Sequence, residues 1–426
     1  MKRMPTIRIF SQLFKRSRAS DPASDGDTTR HVDLSETVTD VGYHQEIAFR
    51  YHTAQMIGIM LLAVYIAVSV LTNAELLSAD NLIYFAKDLS SSFALRENEA
   101  KQTMVYASDE ENEYALYREG LAVLGKQKLT VFTATGRESH AHMISYRTPR
   151  LVSSGRYLIA YDLGGKELSL YNSFTRVKSL TTENDIRSVA ACNQGYYAVV
   201  TDGTEYASEV LLYNENHRMI NRYRLQEYTL LAALRSDGKQ LSLISVSSDG
   251  GRMQTHIAQV SPNEQSWGGS CVIKDAYPIA CHYTEAGDLL LVTTTGVYLL
   301  NAQLEITASN TFSTEEVLSF RADEQGCVLI CRDNVYDNAS RVIVFDKSTN
   351  LMYNISVSSQ VYDVSYTKGV LAVLTENELN IFRGGQDVPY AVAAFNGDYK
   401  KLLAYDGEEY LVCGRARAIV LRPDQP

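Results

Sequence analysis

The sequence is short of the residues that usually carry chemistry or covalent bracing. Its 426 residues include 6 cysteines, 8 histidines, 8 prolines and 1 tryptophan. No Cys-x-x-Cys pair occurs, which excludes a thioredoxin-type redox motif and the paired-cysteine zinc sites. HExxH, GxSxG and P-loop patterns are absent, so no motif announces a metalloprotease, a serine hydrolase or a nucleotide-binding loop. The few prolines exclude collagen-like and proline-rich chains. Basic residues are outnumbered, 40 against 50, and the net charge of −10 makes a nucleic-acid partner unexpected. Tyrosine, by contrast, is abundant at 28, and 45% of the chain is hydrophobic.

Charge is missing altogether from residues 51–74, where 24 positions hold no Asp, Glu, Lys or Arg. The middle reads MIGIMLLAVYIAVSVL, with Met56, Ile57, Ile59, Leu61, Leu62, Val64, Ile66, Val68, Val70 and Leu71 as its large apolar residues. At about 1.5 Å per residue such a helix reaches roughly 36 Å, enough for a hydrocarbon core of roughly 30 Å. A buried helix rarely loses polarity on every face for so long, and the preceding 50 residues are too many for a cleaved signal. The expectation is a single, uncleaved membrane span. Residues 1–50 carry a net charge of +1 and residues 75–426 a net charge of −11. Six basic residues lie in the first 18, which places the N-terminus in the cytoplasm and the large domain outside. The tail is Ser/Thr/Asp-rich over residues 19–40 and reads as disordered. Residues 75–100 read as a linker, with a short helix over 79–89 where Leu82, Phe85 and Leu89 share a face.

From about residue 101 to 424 the apolar period changes to two, the mark of strands. A glycine beside a short apolar strand recurs eight times, at Gly120, Gly155, Gly195, Gly238, Gly287, Gly326, Gly369 and Gly407. The mean spacing is 41 residues, and a second strand follows each, as in LTVFT at Leu129, LSLYN at Leu168 and VIVFD at Val342. Glycine permits the positive φ that tight hairpins demand. Repeats of about 40–45 residues with four short strands are what β-propeller blades require. The fold expected is an all-β propeller of eight blades, with seven if the partial first and last units merge, and tandem sandwiches as the other all-β arrangement. The last unit has room for three strands only, so TMVYA at residues 103–107 is expected to supply the fourth and close the ring.

The order of basic tail, single span, short helical segment and degenerate propeller resembles the domain of unknown function 5711 family. So do the phrases YLIAYDLGGKELSLYN at Tyr157 and GYYAVVTDGTEYASEVLLYN at Gly195. The resemblance implies a bacterial single-pass envelope protein with an external propeller. It implies no catalytic residue, ligand or cofactor.

The remaining chemistry is sparse. Cys327 and Cys331 are four apart in one strand, roughly 13 Å, too far for a disulfide. Cys271 and Cys281 leave a bridge open, and cysteines within strands otherwise read as small buried hydrophobes. His140 and His142 share a strand face, a conceivable metal pair without a neighbouring third ligand except Glu138. The run from Asp109 to Glu113 reads as a solvated loop, with a cation patch as the alternative. SDGG at Ser248 reads as a hairpin turn. Tyr157, Tyr161, Tyr196 and Tyr197 read as strand residues, with sugar stacking as the alternative. No catalytic, cofactor or metal site is therefore expected. The function expected is a non-catalytic binding or scaffold module of the envelope. Its partner would be a protein, peptide or glycan at the propeller top. The alternatives are a propeller hydrolase, lyase or quinone-dependent dehydrogenase, betrayed by His, Arg and carboxylates at the channel mouth, and a membrane-coupled sensor or assembly factor.

Overall fold

The computed structural model describes residues 48–65 and 103–422, apart from segments 110–111, 119, 135, 263–265, 313–316, 333–338 and 406–407. The expected disordered tail up to residue 47, the expected helix at 79–89 and Gly407 lie outside the described residues. The chain divides into two compact units, residues 1–83 and 84–426.

In the first unit, residues 48–65 form one α-helix. It begins three residues before the charge-free stretch, and the Thr53 hydroxyl donates to the Phe49 carbonyl at 2.8 Å. At about 1.5 Å per residue it is roughly 27 Å long, short of a hydrocarbon core of roughly 30 Å. Among the described residues no helix is long and apolar enough to cross a membrane, so the expected 24-residue span is not observed as one element. Met56, Ile57, Ile59, Leu61, Leu62 and Val64 lie on this helix, and each is at least half exposed. Ile66, Val68, Val70 and Leu71 lie outside the described residues.

The second unit is all β. Its described strands form eight antiparallel four-stranded sheets. In seven of them the four strands follow each other in sequence and in space. These are blades 1 to 7, at residues 113–143, 149–181, 186–225, 228–274, 278–311, 317–357 and 363–394. Blade 8 takes Tyr399–Ala404, Tyr410–Gly414 and Arg417–Leu421 from the end of the chain, and its outermost strand is Thr103–Val105. The first strand of each blade packs on the first strand of the next, and blade 8 packs back on blade 1. The ring is an eight-bladed propeller, not a seven-bladed one or a pair of sandwiches.

Period-two alternation explains the stacking. In Gly120–Leu124, Leu121 and Val123 pack with Leu411 and Cys413 of blade 8. The intervening Ala122 and Leu124 pack with Leu158 and Ala160 of blade 2. Successive side chains of a strand point to opposite faces, so each blade is apolar on both. Eight such buried clusters occur among the described residues, one in each seam between neighbouring blades.

The closing seam carries extra fastening. Met104, between exposed Thr103 and Val105, is buried at 2% exposure. The phenols of Tyr106 and Tyr114 both donate to the Gly414 carbonyl at 2.7 Å. The Tyr106 amide donates to the Ala416 carbonyl at 3.0 Å. The Asn112 amide donates to the Arg415 carbonyl at 3.1 Å, and the Lys126 amide donates to the Asp109 carboxylate at 2.9 Å. Asp109 and Asn112, expected in a solvated loop, are thus joined to blades 8 and 1.

Two sequence expectations about turns divide. Asp249 pairs with Arg252 around Gly250 and Gly251, whose φ values of 57° and 81° suit the tight hairpin expected for SDGG. Gly195, Gly238, Gly287, Gly326 and Gly369 also have positive φ. Gly120 and Gly155 do not, and close approach accounts for them. A Cβ at Gly120 would strike the Phe132 carbonyl, and one at Gly155 would lie 3.0 Å from the Asn193 side-chain oxygen.

The closing strand should be the point where one buried methionine matters most. Met104→Ala is expected to cost about 2–5 kcal/mol, the range for emptying a buried site. Val105→Ala, on a side chain 71% exposed, should stay within about 0.5 kcal/mol. Chemical denaturation midpoints of the two variants check this; equal shifts would contradict the closure described.

Candidate functional site

Strand direction determines what meets at each end of the channel. The first strands all run the same way, so all turns between first and second strands lie on one face. That face holds a cavity of about 770 Å³ to which every blade contributes. Its rim is marked in the sequence. The residue two positions before each repeated glycine lines it: Arg118, Ser153, Asn193, Ser236, Glu285, Glu324, Thr367 and Tyr405. His282, Asp323 and Lys368 also line it.

The rim is held by bonds between neighbouring blades. The Ser153 hydroxyl donates to the Leu116 carbonyl at 2.7 Å. The Gly155 amide donates to the Asn193 side chain at 2.9 Å, and the Tyr117 phenol to the Arg156 carbonyl at 2.8 Å. The Tyr283 phenol sits 2.7 Å from the Ser242 hydroxyl and accepts from the Gln259 amide at 3.1 Å. Deeper in the channel, Arg321 donates to the Leu402 carbonyl at 2.9 Å and to the Asp363 carboxylate at 3.1 Å. The same Asp363 oxygen accepts from the Leu402 amide at 2.9 Å, tying blades 6, 7 and 8 together.

Charge around the rim is uneven. Glu285, Asp323 and Glu324 stand together on blades 5 and 6, while Arg118 stands on blade 1 and Lys368 on blade 7. Arg118 and Lys368 are held in the left-handed region, with φ of 47° and 52°. Lys347 pairs with Glu285 at 3.3 Å. Burial lifts the Asp323 carboxyl above the usual range, against the backbone amides and the His282 and Arg321 charges that favour its ionised form. Loss of hydration lowers His282, although water reaches its ring, because the recess surrounds it with protein; Asp323 and Glu324 oppose that shift. Among the described residues no hydrogen bond joins His282 to Asp323. Asp323 instead accepts from the Gln325 amide at 2.8 Å, as the cap of its own turn.

Other expected sites are not assembled. No disulfide joins Cys271 and Cys281. Burial pushes the Cys281 and Cys327 thiols up to about 12, which makes them inert as nucleophiles. Tyr161 and Tyr197 are buried in the seam of blades 2 and 3, so their rings are not offered to a sugar. Among the described residues no group of three or more His, Cys, Asp and Glu is arranged for a metal ion. The rim residues were not singled out from sequence, yet their fixed offset from the glycines is a signal that would have found them.

The sequence profile of a family of unknown function, DUF5711, matches residues 95–419. The chain belongs to that family. No curated protein matches the sequence. The DUF5711 ring is similar to the C-terminal WD40 domain of Sif2, with a TM-score of 0.53 and 12% identity over 77% of this chain and 100% of that one. BamB from Moraxella catarrhalis gives a TM-score of 0.48 and 10% identity over 76% of this chain and 96% of that one. At these identities the likeness concerns the fold alone.

A histidine outside the rim gives the DUF5711 propeller a pH signature. His217 packs on the rings of Tyr157 and Tyr197 at 4.9 and 5.9 Å, and its Nδ1 is buried without a partner. Burial, helped by Lys178 and Arg156, lowers it to about 4. Its unfolded value is about 6.5, so the unfolded chain binds the extra proton between these values. Stability should fall as pH drops from about 6.5 to about 4. Asn tolerates the positive φ of this turn, so His217→Asn should flatten that slope in thermal melts across this range. An unchanged slope would contradict the assignment.

Proposed function

We propose that this protein is a membrane-anchored binding module of the bacterial cell envelope. Its propeller faces outward and takes a protein or peptide partner at the eight-blade rim. The observation that carries this reading is the rim itself. One cavity draws a side chain from every blade, and acidic groups of blades 5 and 6 face a mouth that has Arg118 on blade 1. A partner segment with a basic residue for Glu285, Asp323 and Glu324 suits that polarity. The rim lies on the hairpin-turn face, so we place the partner there. Glycan stacking has less support, since Tyr161 and Tyr197 are in the core and Tyr157 and Tyr196 are partly buried.

The anchor reading rests on the charge-free residues 51–74 and on the uncovered apolar side chains of helix 48–65. Lipid is the solvent that such a helix suits. The charge difference across this stretch favours a cytoplasmic tail. A sensing role for that tail is an extension of the same reading.

An enzyme remains the second reading, favoured by His282, Asp323, Glu324 and Arg118 sharing one mouth. Against it, Asp323 already caps a turn, and among the described rim residues no hydrogen bond pairs a nucleophile with a neighbouring base.

Three experiments test the proposal and its alternative. In the full chain, a photo-crosslinker at Glu324 should capture an envelope partner that one at rim-remote Val177 does not. Glu324→Lys should reduce that capture at least about tenfold, the equivalent of roughly 1.4 kcal/mol. Equal crosslinking at both positions would argue against the rim. Turnover of a wall or glycan substrate abolished by His282→Gln would favour the enzyme. Separately, Ile59→Lys with Leu62→Lys adds about 2.5–3.5 kcal/mol per residue to insertion, and should move the chain from the membrane to the soluble fraction. Unchanged membrane association would remove the anchor reading.

A further inference from the structure

Buried polar atoms without partners are concentrated in blades 1 to 3. Among the described residues, His140 Nε2, His142 Nε2 and the Tyr171 hydroxyl are three of them. These three residues belong to one place. His140 and His142 alternate along the outermost strand of blade 1, Glu138–Met143, and so share a face. Tyr171 ends the third strand of blade 2, Glu167–Tyr171, and is fully buried. The two imidazole centroids are 5.1 Å apart, and the Tyr171 ring lies 6.4 Å from His140 and 5.2 Å from His142.

The tautomer of His140 follows from its partner. Its Nδ1 is 3.1 Å from the Ser173 carbonyl, and a carbonyl only accepts. Nδ1 therefore carries the proton, and the buried Nε2 presents a bare lone pair. Ser139 donates to the same carbonyl, which holds this strand against the turn of blade 2. An imidazole whose far nitrogen donates to a backbone carbonyl is the arrangement that orients metal-binding histidines. Two imidazoles bound to one ion at about 2.0–2.1 Å each stand with centroids roughly 4.5 Å apart at the 90° angle of a tetragonal ion and roughly 5 Å apart at the tetrahedral angle, a range that includes the spacing seen here. Leaving three such atoms unmatched is costly, since each buried unsatisfied group forfeits about 1–3 kcal/mol.

We propose that His140 and His142 bind a late first-row transition-metal ion, of which Cu²⁺ is the tightest in such a nitrogen site, with the Tyr171 phenol as third donor. Burial pushes the Tyr171 phenol above its ordinary value, while the nearby Ser169 and Arg176 oppose that shift, although neither is in hydrogen-bonding geometry with it; a bound ion displaces the phenol proton. The phenolate offsets the repulsion that the Arg176 guanidinium would exert on an ion beside His142. The site lies at the outer seam of blades 1 and 2 and does not depend on the rim reading.

The test uses the full chain, purified without a polyhistidine tag and loaded with Cu²⁺ alone. One ion per chain should survive gel filtration. Its electron paramagnetic resonance spectrum should show two equatorial nitrogens, and a phenolate charge-transfer band should appear in the visible range. His140→Gln and His142→Gln should each weaken binding at least about tenfold, and Tyr171→Phe should remove the visible band. The wild-type spectrum stands even where a variant fails to fold. A wild-type spectrum with fewer than two nitrogens, or equal binding by the His140→Gln/His142→Gln double variant, would overturn the site. A high-resolution structure of the Cu²⁺-loaded chain with only water against the three atoms would do the same.

Discussion

A blade of this ring is apolar on both faces, and only another blade can cover them. Everything else in the second unit follows from that need. Leu121 and Val123 belong to one seam, and Ala122 and Leu124 to the next. Any blade left at the end of an open row would expose half of such a set. The row therefore has to close, and it closes through a three-residue strand taken from the start of the domain. That strand is short because its task is narrow. It seats Met104, covers the edge of Arg417–Leu421, and delivers Tyr106 to the Gly414 carbonyl.

Ring closure also creates the rim. Eight first strands running the same way bring eight hairpin turns to one mouth, so residues some 40 positions apart become neighbours. In the seven turns whose glycine is described, it serves positive φ or close approach, and the residue two before it varies in chemistry from blade to blade. The result is a rim of Arg, Ser, Asn, Ser, Glu, Glu, Thr and Tyr on a uniform scaffold. Function on such a rim is set by turn residues while the seams keep the fold constant.

The outer edge of the ring behaves differently. The seam clusters mix aliphatic residues with aromatic rings, and near the third and fourth strands of blades 1 to 3 tyrosine and histidine come together. Burial there keeps His140 and His217 neutral. It also leaves several of their nitrogens and phenol oxygens unmatched. Among the described residues most buried side-chain polar atoms without a partner lie in blades 1 to 3, with Arg383 Nε of blade 7 outside them.

Much of this architecture was legible in the amino-acid order. Period-two strands, eight spaced glycines and a final unit one strand short lead to eight blades and to Thr103–Val105 as the closing strand. That reading works because hydrophobic alternation and hairpin geometry are local properties. The charge-free residues 51–74 were equally plain, though the described helix covers only part of them. What the order of residues could not reveal was which side chains meet across blades. Arg118 and Glu285 share a mouth, and His140 meets Ser173, only because the ring folds distant turns together. The glycines' differing roles were also hidden, since φ at Gly195 and close approach at Gly120 look alike in sequence. Local patterning determined the blades and their number; the closed ring, a long-range arrangement, decided which polar groups converge, which are buried, and which are left without a partner.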